Sequence, residues 1–123
     1  KLRIIGVVSA HATTYADSLA AGRVVEAPVT TQLADGMACR IADPAALDIL
    51  LPHLERIVQV SDDEVARAMR ELHADTHNVA EGAGAASFAA AMQERGQLSG
   101  LNVGITLSGG NVDSATVAKV LMS

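Results

Sequence analysis

The sequence predicts an α/β fold of three layers, a mostly parallel sheet with flanking helices. Short apolar runs alternate with stretches of helical periodicity along the whole chain, the pattern of parallel strands joined by helical crossovers. The chain is 50% hydrophobic, yet it has one Tyr, one Phe and no Trp. Its core must therefore be built from Ala, Val, Leu, Ile and Met, small side chains that suit close helix-on-sheet packing. At 123 residues, one domain or part of one is expected.

The elements follow in order. Leu2 to Val8 is a continuous apolar run and reads as a buried strand. Thr13 to Ala21 reads as a short helix, with Thr13 or Thr14 as its cap and Gly22 as its stop. Val24 to Val29 is extended, and Ala34-Asp35-Gly36 is a turn opening a short helix. Asp43-Pro44 combines a capping side chain with Pro at the first helical position, so a helix follows through Leu50. Ile57 to Val60 is a strand. Ser61-Asp62-Asp63-Glu64 has the capping-box spacing and predicts a helix to about Thr76, with Val65, Ala68, Met69 and Leu72 facing the core. Ala85 to Glu94 is a helix closed by Gly96. Leu101 to Leu107 is the last strand, and Asp113 to Leu121 is the last helix.

Composition excludes several classes of function. The net charge is −5, with both signs interspersed, no basic patch and almost no aromatic for base stacking, which argues against nucleic-acid binding. No apolar stretch reaches membrane-spanning length. The single Cys39 rules out an internal disulfide framework and fits a reducing, cytoplasmic setting. The chain begins at Lys1 and enters strand-like sequence at once, as a processed domain or a fragment would.

The strongest chemical signal is Ile105-Thr106-Leu107-Ser108-Gly109-Gly110-Asn111-Val112-Asp113. An apolar strand ends at a hydroxyl, a glycine pair and an amide, and a helix starts just after. Ligand sites of open α/β sheets lie at such strand ends, although the same residues also make ordinary turns. Glu81 precedes a helix among small residues; a helix dipole accounts for a carboxylate there as well as a ligand cleft does, and spacing does not separate the two. His73 and His77 stand four apart on a predicted helix, but without a His-Glu-x-x-His pattern they read as solvent-facing. Cys39 reads as a small buried core residue.

Three motifs in order change this picture. Thr31-Gln32-Leu33-Ala34-Asp35-Gly36, Val79-Ala80-Glu81-Gly82-Ala83-Gly84-Ala85 and Leu107-Ser108-Gly109-Gly110-Asn111-Val112-Asp113 resemble the pyridoxal-phosphate enzymes of the tryptophan-synthase-β fold type, nearest to the threonine/serine dehydratases and serine racemases. The connecting Ser18-Leu19-Ala20-Ala21-Gly22 and Val58-Gln59-Val60-Ser61-Asp62-Asp63-Glu64 resemble the same group.

The resemblance implies pyridoxal 5'-phosphate as cofactor, a small amino-acid substrate and a homodimer. It implies that Ser108 meets the pyridine nitrogen, that Gly36 lines the cofactor near its imine carbon and that Glu81 is the acidic residue near the ring. Gly109 and Gly110 let the chain pass close by, and Asn111, at the same loop, stabilises it. It also implies that the chain is the C-terminal portion of the large, cofactor-binding domain. The family's Schiff-base lysine motif and its Gly-rich phosphate loop have no match in these 123 residues, so no catalytic residue of that type is assigned to the chain, and neither Lys1 nor Lys119 sits in the lysine motif. Val8 and Thr14 stand where metal-binding relatives carry carboxylates, so no divalent site is expected. The expected activity is an ammonia-lyase (dehydratase) reaction on L-threonine or L-serine, with the 123 residues inactive alone. A serine racemase, a hydroxyaspartate dehydratase and a non-enzymatic α/β binding or regulatory module are the alternatives.

Overall fold

A computed structural model describes residues 2–123; Lys1, one of the two lysines weighed above, lies outside the described residues. The strand read at Leu2 to Val8 forms as β1 (Ile5–Ser9), and the second forms as β2 (Arg56–Val60). They pair in parallel, with Gly6 opposite Ile57 and Val8 opposite Gln59. A parallel pair needs a long crossover. Here it contains α1 (Thr14–Ala21), a 3₁₀ turn (Asp35–Met37) and α2 (Pro44–Leu50). Behind β2 come α3 (Asp62–Thr76), α4 (Gly82–Gln93), the short α5 (Arg95–Leu98) and α6 (Ser114–Met122). The fold is thus α/β, a parallel sheet with flanking helices.

α3 forms as its sequence dictates. The Ser61 hydroxyl accepts the Glu64 amide at 3.3 Å and the Glu64 carboxylate accepts the Ser61 amide at 2.8 Å, so each end of the capping box satisfies the other. Val65, Ala68, Met69 and Leu72 are all buried. They meet Ala85, Ala86, Ala89 and Ala90 of α4, together with Val58 and Val60 of β2. Alanines along α4 let the two helices approach closely, which compensates for a core without large aromatics. α2 begins as expected, with the Asp43 carboxylate accepting the Ala46 amide at 2.9 Å.

Four expectations are corrected. Leu101 to Leu107 belongs to no strand. A strand needs a ladder partner, and β1 and β2 are paired with each other. The segment lies instead along α4, where the Ser87 hydroxyl donates to the Thr106 carbonyl at 2.7 Å. A gap of about 520 Å³ separates it from the free edge of β1, lined by Ile5, Val7, Ala90, Val103 and Ile105. Its apolar side chains therefore remain open to solvent: Leu101 53%, Val103 48%, Ile105 45%, Leu107 42%. Gly96 does not end α4; it sits inside α5, and α4 ends at Gln93, capped by Glu94, whose amide returns to the Ala90 carbonyl. Thr13 occupies the α1 cap position, but its hydroxyl donates to the Asp17 carboxylate at 2.7 Å rather than serving the helix backbone. Cys39 is half-buried at the surface, its thiol donating to the Ile41 carbonyl, not packed in the core. Among the described residues no helix is long and apolar enough to cross a membrane.

Candidate functional site

The first turn of α4 is where the three sequence motifs meet. Gly82 and Gly84 are two residues apart, hence about 200° apart around the helix, and so face opposite neighbours. A Cβ on Gly82 would strike the Leu33 carbonyl and stand 3.2 Å from Ala34 Cα. A Cβ on Gly84 would strike the Gly109 carbonyl oxygen. A Cβ on Gly36 would stand 2.9 Å from the Ala83 side chain. The helix start is thus wedged between the Thr31–Met37 loop on one side and the Ser108–Asn111 loop on the other, with bare backbone at each contact. The Glu81 amide donates to the Gly109 carbonyl at 3.1 Å, which fixes the second loop to the helix cap.

Glu81 occupies the N-cap of α4, yet its carboxylate makes no capping bond to the helix. It lies against Gly109, at the place that a Cβ on Gly109 would occupy. The dipole account of this carboxylate is therefore incomplete, because the side chain turns toward the neighbouring loop. Ser108 is exposed, and its hydroxyl has no hydrogen-bond partner among the described residues. Gly36 is exposed on the 3₁₀ turn. Asn111 is exposed and its amide makes no hydrogen bond among the described residues, so the expectation that it braces the loop is not met. The bracing comes from the backbone, where the Val112 amide donates to Gly110 at 2.9 Å, and from Asp113, which caps α6. The Asp113 carboxylate accepts the Thr116 amide at 2.9 Å and the Thr116 hydroxyl at 2.6 Å. These bonds, the hydroxyl's first, hold its carboxyl below the usual carboxylate range.

Asp62 and Thr31 belong to the same constellation, although sequence reading gave them no place in the site. The Thr31 hydroxyl donates to one Asp62 oxygen at 2.6 Å, and the Gln32 amide donates to the other at 2.7 Å. Thr31 Oγ1 in turn accepts the Ala34 amide at 3.0 Å. Asp62 opens α3 with only Ser61 between it and the end of β2, so the loop bearing Gly36 is moored near the carboxyl end of the sheet. Asp62 carried a capping signal and a place in a family-like connecting segment, neither of which points to a partner 31 residues away.

The metal question rests on different residues. His77 closes α3 in the left-handed region at φ 58°, with its ring Nδ1 3.2 Å from the His73 carbonyl oxygen. His77 is exposed, but His73 is half-buried with its Nδ1 enclosed and unpartnered among the described residues, so the expectation of two solvent-facing histidines holds for His77 alone. No group of three or more His, Cys, Asp or Glu residues is placed to hold a metal ion among the described residues. Val8 is half-buried in β1 and Thr14 is fully buried at the start of α1.

The wall formed by the two loops and the start of α4 suits the ring end of pyridoxal phosphate. It offers one uncommitted neutral hydroxyl at Ser108, glycine backbone that a flat ring can approach, and a carboxylate at Glu81. It does not suit the phosphate end. The segments Thr31–Met37, Val79–Ala85 and Leu107–Asp113 contain no Lys or Arg, and Lys119 lies on α6, outside them.

Comparison with known proteins gives a consistent result. A family model described as pyridoxal-phosphate dependent enzyme matches residues 1–109. An L-threonine ammonia-lyase of Geobacter sulfurreducens is 39% identical over 121 residues, which are 98% of this chain and 30% of that relative. Among solved structures, the processed form of threonine deaminase isoform 2 from Solanum lycopersicum superimposes with a TM-score of 0.87 at 25% identity, covering 98% of this chain and 36% of that one. Maize serine racemase superimposes with a TM-score of 0.83 at 26% identity, covering 98% and 39%. The chain thus spans well under half the length of each of these proteins.

Proposed function

The chain belongs to the pyridoxal-phosphate-dependent enzymes, and from that premise we propose that it forms part of an ammonia-lyase converting L-threonine or L-serine to a 2-oxo acid and ammonia. The observation that carries the reading is the convergence of two loops on the α4 N-terminus with the Ser108 hydroxyl left free. The similarity to an L-threonine ammonia-lyase over 98% of the chain supports the choice of substrate.

Pyridoxal phosphate, when bound, supplies an electron sink for bonds at the substrate α-carbon. Ser108 would then offer its neutral hydroxyl to the pyridine nitrogen. A neutral partner does not enforce a protonated ring, so the sink is mild and suits loss of a β-hydroxyl as water. Gly36 and Gly109, which carry no side chain of their own, would offer backbone to the ring, and Glu81, whose carboxylate lies against Gly109, would flank it. Asn111, exposed and uncommitted, lies at the mouth of the same loop. In this reading the chain is the C-terminal part of the cofactor-binding domain. The imine lysine and the phosphate grip come from residues outside these 123, and the intact enzyme is a cytoplasmic homodimer.

Two measurements test this. In the intact protein, Ser108→Ala should shift the absorption maximum of the bound cofactor and lower 2-oxobutyrate formation from threonine by about tenfold or more. An unchanged spectrum and rate would remove Ser108 from the site. The 123 residues alone, given cofactor and threonine, should yield no 2-oxobutyrate; turnover by them would overturn the assignment of the lysine to another segment. The likeness to maize serine racemase favours a second reading, racemisation of serine. Chiral analysis of the serine product decides, since accumulation of D-serine without pyruvate excludes the lyase.

A further inference from the structure

We propose that Asp62 is a positioning residue for the cofactor wall, acting through Thr31 and Gln32 to hold the Ala34–Gly36 turn against the start of α4. The inference rests on the reading of Gly36 as cofactor-facing backbone, and it adds the device that keeps that backbone in place.

Three features carry it. First, both oxygens of the Asp62 carboxylate are committed to the loop, one to the Thr31 hydroxyl and one to the Gln32 amide, at 2.6 and 2.7 Å. Bonds to an ionised acceptor are short and about twice as strong as neutral ones. Second, the α3 terminus does not need Asp62 as its cap, because Ser61 and Glu64 already satisfy each other. Asp63, its neighbour in the same first turn, is exposed and makes no side-chain hydrogen bond among the described residues, so it provides the contrast of an acidic residue that serves the helix dipole alone. Third, Thr31 relays the restraint. Its oxygen donates to Asp62 and accepts the Ala34 amide at 3.0 Å, and Ala34 is fully buried beside Gly82. Fixing Ala34 fixes the turn that follows it, and with it the exposed Gly36.

Substitution at either end of the relay separates this role from simple folding. Asp62→Asn keeps the shape of the side chain but offers an NH₂ group where one of the two donors now points. Thr31→Val keeps the shape and removes the oxygen, whereas Thr31→Ser keeps the oxygen. Amide hydrogen exchange over residues 31–38 of the intact protein, with and without added pyridoxal phosphate, gives the readout, with the urea midpoint as a check on folding. In Asp62→Asn and Thr31→Val, the Gln32 and Ala34 amides should exchange about tenfold faster or more, and protection of the Gly36 segment by pyridoxal phosphate should be lost. Asp63→Asn and Thr31→Ser should match the wild type in both respects. If Asp62→Asn does not fold, the Thr31 pair carries the test. Wild-type exchange and wild-type cofactor protection in Thr31→Val would overturn the inference. A wild-type protein that binds pyridoxal phosphate without protecting Gly36 would overturn the underlying placement of Gly36 instead, and the two failures are told apart by the unliganded exchange rates.

Discussion

At the scale of single residues, the site is shaped by what the glycines lack, and the cost of filling each one differs. A methyl group at Gly84 meets the Gly109 carbonyl, which is backbone and held by the Glu81 amide. A methyl group at Gly109 meets the tip of the Glu81 side chain, which can swing away. Overpacking against rigid structure costs about 1–3 kcal/mol, so Gly84→Ala should lower the urea midpoint clearly. Gly109→Ala should lower it less while displacing the Glu81 carboxylate. Ser108 is exposed and makes no bond within the chain, so Ser108→Ala should leave stability within about 0.5 kcal/mol of wild type. Urea titrations of the three variants check the ranking; a Gly109→Ala protein less stable than Gly84→Ala would show that Glu81 is clamped and not free to move.

At the scale of elements, α3 is the best-specified part of the chain, and its capping box is open to a direct test. Ser61→Ala should cost about 1 kcal/mol, as loss of a helix cap generally does. The Glu64 carboxyl is held below its ordinary range, chiefly by the Ser61 amide, with Gln93 and the Ser61 hydroxyl adding to it. A carboxyl lowered on folding stabilises the native state fully above its unfolded value of about 4.3, and that contribution fades as pH falls through the folded value. Wild type should therefore exceed Glu64→Gln in urea midpoint at neutral pH, with the gap closing in acid. A gap independent of pH would mean that the carboxylate charge is irrelevant to the cap. The same element shows why parts of the fold are legible in sequence and others are not. A capping box and a 3.6-residue period are local, so α3 reads correctly from Ser61 to Thr76. The start of α4 is misplaced by three residues, because glycine costs about 1 kcal/mol in a helix, and here contact with two loops overrides that preference. Leu101 to Leu107 has the composition of a strand, but a strand exists only with a partner. The Asp62–Thr31 bond joins residues too distant in sequence for any local pattern to reveal. For the candidate site, the loops were legible as motifs, whereas their meeting point on α4 was not.

At the scale of the whole molecule, the apolar surface is unevenly placed. Leu101, Val103, Ile105 and Leu107 are each roughly half exposed along one segment, and the free edge of β1 faces the first three across the gap. Burying the open half of four such side chains is worth roughly 3–6 kcal/mol. Two copies burying equivalent surfaces gain about twice that, against an association cost of about 4–15 kcal/mol. The balance predicts weak, reversible self-association of the 123 residues when they are prepared alone, with unpaired backbone groups of β1 and of residues 102–107 adding hydrogen bonds to the contact. Sedimentation velocity should show an average mass that rises above 12.6 kDa as concentration approaches about 1 mM. Ile105→Lys places a charge in the gap and should return the mass to the monomer value at every concentration, while Lys119→Glu, on the distant α6, should not. A monodisperse monomer throughout would mean that the open segment folds back to cover its own apolar face.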